Sequence, residues 1–208
     1  MLNLHDDPWV PDRVSLSSVD AAWSDLCESN PRYFDGSILH VLGVVRNGHG
    51  GVTIHAARSS YRFYAVQVTG LDTGTRALGV KGLCRNGSEW LMGRRSAEVA
   101  FYPGAWEFVP GGSVPAGSDP AEVLLRELRE ESGWVPTGPA RAVAVIYDPG
   151  AFSWEIVSTL AVSPSTEAAT APWEYDELST FGPGSEPEPL APVARDMIRL
   201  RDGLTDDQ

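Results

Sequence analysis

Between Asp119 and Gly133 the chain carries a helix with both ends marked: Asp119 as N-cap, Pro120 at the first helical position and Gly133 as a left-handed stop. Stretches with β character lie on both sides of it. Ile38 to Val45, Val52 to Ala57 and Tyr61 to Val68 come first, the first two separated by the Asn47-Gly48 and Gly50-Gly51 turn signals. A hairpin then reads Ala77 to Leu83 and Glu89 to Gly93 around Arg85-Asn86-Gly87-Ser88, and Trp106 to Val109 runs into Pro110-Gly111-Gly112. Arg141 to Tyr147, Trp154 to Val162 and Glu177 to Phe181 follow the helix, with further helices predicted over Val19 to Glu28 and Val193 to Arg201. Strands joined by both hairpins and crossovers around a central helix predict the α+β class: a mixed β-sheet sandwiched by helices, preceded by a small antiparallel amino-terminal subdomain. The boundary falls between 1–75 and 76–208.

On a wheel of about 100° per residue, Glu127, Glu131 and Glu130 share one arc of about 100°. Leu124, Leu128 and Leu125 form an apolar stripe beside it that can anchor the helix to a sheet. Arg126 stands four residues before Glu130 and can hold it. One face packs and the next gathers negative charge.

The chain as a whole is acidic, with a formal charge of −12 at pH 7. Residues 1–117 account for −1 of it and 118–208 for −11. Such a charge opposes binding to nucleic acid or an anionic membrane, and no run approaches 18 apolar residues. Carboxylates held close together call for a counter-charge, and a divalent cation is one such. Cys27 and Cys84 are far apart and only four histidines are present, which argues against structural zinc and an oxidising compartment. A cytoplasmic protein is expected.

Gly112, then thirteen residues, then Arg126-Glu127-Leu128-Arg129-Glu130-Glu131-Ser132-Gly133-Trp134 resembles the Nudix box, G-x5-E-x7-R-E-U-x-E-E-x-G-U. Six strict positions match, a coincidence on the order of one in ten million starting points. The glutamate of G-x5-E is Ser118 here, and Glu122, four residues before Arg126, is the expected replacement support for that arginine. The resemblance implies a Nudix-type fold and hydrolysis of a pyrophosphate with Mg2+ or Mn2+. It implies Glu127, Glu130 and Glu131 as metal ligands with the Gly111 carbonyl. It also implies catalytic roles for Glu127, as ligand or base, and for Arg126 and Glu130. A further carboxylate is expected near the metal, Glu155 or Glu174.

The segments Leu91 to Arg95 and Pro103 to Gly112 are similar to those before the box in nucleotide-sugar pyrophosphatases, which implies that Arg94, Arg95 and Gly112 bind substrate diphosphate. Asn30-Pro31-Arg32-Tyr33-Phe34-Asp35-Gly36, with Ser59-Ser60-Tyr61-Arg62, resembles the UDP-glucose and UDP-galactose hydrolase branch. The expected partner is therefore a nucleoside diphosphate-linked small molecule, first a UDP-sugar, cleaved to a nucleoside monophosphate and a sugar phosphate. Asp148-Pro149-Gly150 instead resembles ADP-ribose pyrophosphatases, and Ser118 keeps a non-catalytic nucleotide sensor in view. The resemblance is also compatible with a homodimer.

Overall fold

The computed structural model describes residues 1–204, and the chain divides into two units. One comprises 1–78 with 113–118 and 152–154, and the other holds 79–112, 119–151 and the chain from Glu155 onward. Two short segments, 113–118 and 152–154, thus return to the first unit from later in the chain.

The first unit contains β1 (Leu2–His5), α1 (Leu16–Ser29), β2 (Ser37–Arg46), β3 (Val52–Ser60) and α2 (Tyr61–Ala65). Ser15 caps α1 by accepting the Ser18 N–H at 3.1 Å. β2 pairs antiparallel with β3, but β1 pairs with β3 in parallel, Asn3 opposite His55 and His5 opposite Ala57. The purely antiparallel expectation therefore needs correction. β1 carries no local signal, because its partner is some fifty residues away and no turn joins them. The expected strand from Tyr61 to Val68 is α2 and a following 3-10 turn, Val66–Thr69. Its aromatic and β-branched residues suit a strand, yet Phe63 and Val66, three apart, bury together against Val19. Asp35 fixes the start of this helix by accepting the Ser60 hydroxyl at 2.5 Å and the Arg62 N–H at 3.0 Å.

The second unit is built on β4 (Ala77–Asn86) and β5 (Glu89–Arg95), whose hairpin closes at Asn86 opposite Glu89. Gly87, at φ 62°, supplies the left-handed residue of that two-residue turn. β5 also pairs with β6 (Trp106–Phe108) and with β11 (Tyr175–Phe181), both antiparallel. β10 (Ser153–Pro164) pairs with β9 (Arg141–Asp148) and β8 (Trp134–Pro136), and β7 (Gly111–Ser113) pairs with β4. α4 (Pro192–Gly203) lays Val193, Ala194 and Met197 on a core of Leu83, Met92, Trp106, Phe108 and Val157. Together the strands and few helices make the mixed α+β architecture expected. Among the described residues no helix is long and apolar enough to cross a membrane.

Candidate active site

α3 (Pro120–Glu127) starts as the sequence dictates, Asp119 accepting the Ala121 N–H at 2.7 Å and the Glu122 N–H at 3.3 Å. Val123 and Leu124 are buried and anchor it. From Leu128 to Ser132 the helix widens into a π-turn, ended by Gly133 at φ 69°. This overturns the uniform wheel, because a wider turn advances each residue by less than the α-helical angle. Glu131 is 1% exposed, Glu127 is partly buried, and the Glu130 side chain remains 43% exposed. The three carboxylates thus meet three different environments.

Arg126 donates to Glu127 Oε1 at 2.6 Å and stands 3.8 Å from Glu130. Among the described residues no ion pair joins it to Glu122, so the expected replacement for the missing box glutamate is not used. Arg126 instead leans on the adjacent glutamate. Gly112 lies directly over Glu127, where a methyl group would strike the carboxylate, and that close approach is the physical need for glycine there. Glu131 accepts the Gly111 N–H on Oε2 at 3.2 Å, whereas its Oε1 is buried with no hydrogen-bond partner.

Burial raises the pKa of Glu131 well above the carboxylate range, with the charges of Glu174 and Glu127 adding to the effect. Glu174 is pushed up mainly by burial, opposed by Arg95 and reinforced by Glu127. Glu127 is raised by burial, an effect that its hydrogen bond to Arg126 only partly reverses. These acids share too little positive charge.

Lys81 and Arg95, whose charges also act on these acids, are engaged by Glu107, which is 2% exposed. Its carboxylate accepts from Lys81 at 2.5 Å, Arg95 at 2.5 Å and the Tyr175 hydroxyl at 2.9 Å. Burial alone would raise its pKa, but Lys81 and Arg95 outweigh that and bring it down to about 2. Lys81 also lies against Gly111, where a methyl group would meet its side chain. Lys81, held by Glu107 together with Arg95 and Tyr175, therefore lies against the Pro110-Gly111-Gly112 loop.

 That loop, Pro110-Gly111-Gly112, thus meets Lys81 and Glu131 at Gly111 and Glu127 at Gly112.

The other residues singled out in the sequence fall into three groups. Arg95 is half-buried, its side chain 15% exposed, with its guanidinium taken up by Glu107 and the Phe101 carbonyl. Arg94 remains partly exposed, 3.6 Å from Glu177 on the paired strand β11. Glu155 is buried beside Gly79, and its charge acts on Lys81, whereas Glu174 is the acid that acts on Glu131. The loop after β10 brings Glu174 there: the Glu130 carbonyl accepts the Thr170 and Ala171 N–H groups at 2.9 and 2.7 Å, clamping that loop to the helix end. Sequence reasoning missed Lys81, Glu107 and Tyr175. The available signal was Glu107 itself, a charged residue between Trp106 and Phe108 in a short buried strand.

Whether these residues fit a divalent cation is tested by Glu131. A fully buried carboxylate oxygen with no partner, pressed by two other acids, is the donor chemistry that a hard cation satisfies. No three His, Cys, Asp or Glu side chains among the described residues are gathered into a finished ligand set. Glu127 is bonded to Arg126. In donor chemistry the residues fit such a cation.

An uncharacterised Nudix hydrolase of Pseudomonas aeruginosa is 41% identical over 51 residues, a match covering 24% of this chain and 30% of that relative. Among solved structures, the NUDIX domain of Shewanella oneidensis NrtR, complexed with ADP ribose, aligns with a TM-score of 0.50 at 18% identity, covering 63% of this chain and 90% of that one. A bifunctional NMN adenylyltransferase/ADP ribose pyrophosphatase from Francisella tularensis aligns with a TM-score of 0.51 at 18% identity, over 66% of this chain and 44% of that one. At such identities these two speak for the fold alone. The NUDIX domain model matches residues 75–200, well over half of the chain and including every glutamate of the site, and the chain belongs to the Nudix hydrolase family.

Proposed function

We propose that this chain hydrolyses the pyrophosphate bond of a nucleoside diphosphate linked to a second group, with a UDP-sugar as the favoured substrate and Mg2+ or Mn2+ as the required cation. The observation that carries the reading is the orphaned, buried Oε1 of Glu131 among Glu127 and Glu174. Glu131, Glu127 and Glu174, with Glu130 and the Gly111 carbonyl, are the residues that would hold the cation. When bound, it supplies charge neutralisation of the diphosphate and a water acidified enough to attack phosphorus.

The chain's own residues do the rest. Arg126 sets the position of Glu127 through their 2.6 Å bond and keeps Glu130 within ion-pair range. The Gly111 N–H fixes one oxygen of Glu131. Glu107 holds Lys81 beneath the glycine loop, so a positive charge stays near the place where anionic groups converge. Of the two arginines expected at the diphosphate, Arg94 is the one that retains exposure for that role.

A UDP-sugar is favoured by the segments 30–36 and 59–62, which resemble that hydrolase branch. Within the first unit these segments are joined by the bonds from Ser60 and Arg62 to Asp35. ADP-ribose is the second reading, favoured by the Asp148-Pro149-Gly150 turn and by the ADP-ribose named for two fold neighbours. A panel of nucleoside diphosphate derivatives, with phosphatase-coupled release of phosphate, separates them. UDP-glucose should exceed ADP-ribose in kcat/KM by tenfold or more, about 1.4 kcal/mol. The reverse order selects ADP-ribose, and binding without turnover of either selects a sensor.

A further inference from the structure

Three side chains far in sequence from the carboxylates converge at one point on the first unit. β1 and β3 run parallel with Asn3 opposite His55. Because strand residues two apart share a face, His5 stands on the same side as Asn3. The imidazole of His55 is thereby flanked by both. Asn3 Nδ2 lies 3.0 Å from His55 Nδ1, and His5 Nε2 lies 3.3 Å from that same nitrogen.

A ring nitrogen carries either one proton or one lone pair, so in either tautomer His55 Nδ1 can make one full hydrogen bond and not two. The crowding is resolved if a cation takes the place of the shared proton. Ligand nitrogens about 2.0–2.1 Å from a metal lie about 3.0 Å apart at octahedral and about 3.4 Å apart at tetrahedral angles. The two separations observed fall at and between these limits. Reversing the Asn3 amide presents its oxygen instead of its nitrogen, and that orientation is fixed only by the hydrogen-bond network around it. The rings of His5 and His55 are inclined by 54° with centroids 5.6 Å apart, so they approach one another without stacking face to face.

From this convergence we propose that His5 Nε2, His55 Nδ1 and Asn3 Oδ1 form a surface site for a transition metal of the Zn2+, Ni2+ or Cu2+ class. Two imidazoles and an amide oxygen suit these borderline ions and not Mg2+, which separates the site chemically from the glutamates of the second unit. Water completes the coordination. A bound ion would tie β1 to β3 through side chains, in addition to their backbone ladder. Both imidazoles must be neutral to ligate, so protons compete with the metal for the site.

The test uses the full chain without an affinity tag, held in millimolar Mg2+ so that the carboxylates are already served. Cu2+ is added to one equivalent and the nitrogen couplings of its electron paramagnetic resonance spectrum are recorded, while Zn2+ affinity is measured by calorimetry. Two coupled imidazoles, Zn2+ binding weakened at least tenfold in both His5→Ala and His55→Ala, and tighter binding in Asn3→Asp are expected. Glu131→Gln should leave the signal and the affinity unchanged. All three side chains stand at or near the surface, so circular dichroism of the variants should match the parent. Loss of the signal in Glu131→Gln, or its persistence in the His5→Ala/His55→Ala double variant, would overturn the site.

Discussion

Glu131 is held in a contradiction: it is buried, it carries an oxygen with no partner, and its neighbours Glu174 and Glu127 are themselves acids. Groups left this way in a folded protein are retained for chemistry, since as packing they are unfavourable. Glu131→Gln keeps the volume and removes the charge, so turnover should fall by at least a hundredfold while the melting temperature holds or rises, checked by initial rates beside calorimetry. Glu107 presents the opposite case. Three donors satisfy it, and it balances a buried Lys81 and a half-buried Arg95. Glu107→Gln should therefore lower stability by about 3–5 kcal/mol, because the buried Lys81 and its neighbour Arg95 lose their counter-charge, and urea denaturation reads that loss directly. Two buried glutamates of one site thus respond oppositely in stability. The sequence displayed Glu131 plainly, because its spacing from Arg126, Glu127 and Gly133 is rigid. Glu107 and Lys81 were not legible, since their partnership joins β6 to β4 across many intervening residues and only the folded sheet brings them together.

At the scale of elements, the informative feature is the junction between α3 and the loop that follows β10. Gly133 ends the helix in the left-handed region, and a methyl group there would lie 2.7 Å from the Glu167 carbonyl. Gly133→Ala should then cost about 1–3 kcal/mol in stability, and its kcat should fall further than its melting temperature alone explains. The second effect follows because this loop carries Glu174, and the same junction holds Thr170 and Ala171 on the Glu130 carbonyl. Comparing kcat with thermal denaturation for this variant checks both parts. The helix caps were legible from Asp119, Pro120 and Gly133. The π-turn between them was not, since periodicity assumes one uniform advance per residue, and so Glu130 was grouped with residues from which the structure separates it. A similar limit explains Tyr61 to Val68. Side-chain preference there favours a strand, whereas burial of Phe63 and Val66 on Val19 selects a helix.

Across the whole molecule, the acid excess carried by 118–208 belongs to the part of the chain that supplies Glu127, Glu130, Glu131 and Glu174, while the first unit contains a titrating group of its own. His40 is 5% exposed, stacked on Trp9 at 3.9 Å, and accepts the Arg76 N–H on Nδ1 at 3.0 Å. Burial, assisted by the Arg76 charge, lowers its pKa from 6.5 to about 4. Between those values the unfolded chain binds the proton more readily than the folded one. Stability should accordingly fall as pH drops from about 6.5 to about 4, by about 1–3 kcal/mol, and His40→Gln should flatten that slope in denaturation curves taken across the range. The central claim concerns the second unit, and it is tested most directly by 31P nuclear magnetic resonance of the chain incubated with UDP-glucose and Mg2+. The pyrophosphate resonances should give way to two phosphomonoester resonances, those of UMP and glucose 1-phosphate, with no change in excess EDTA or with Glu131→Gln. Equal turnover in EDTA, or by the Glu131→Gln variant, would contradict the account.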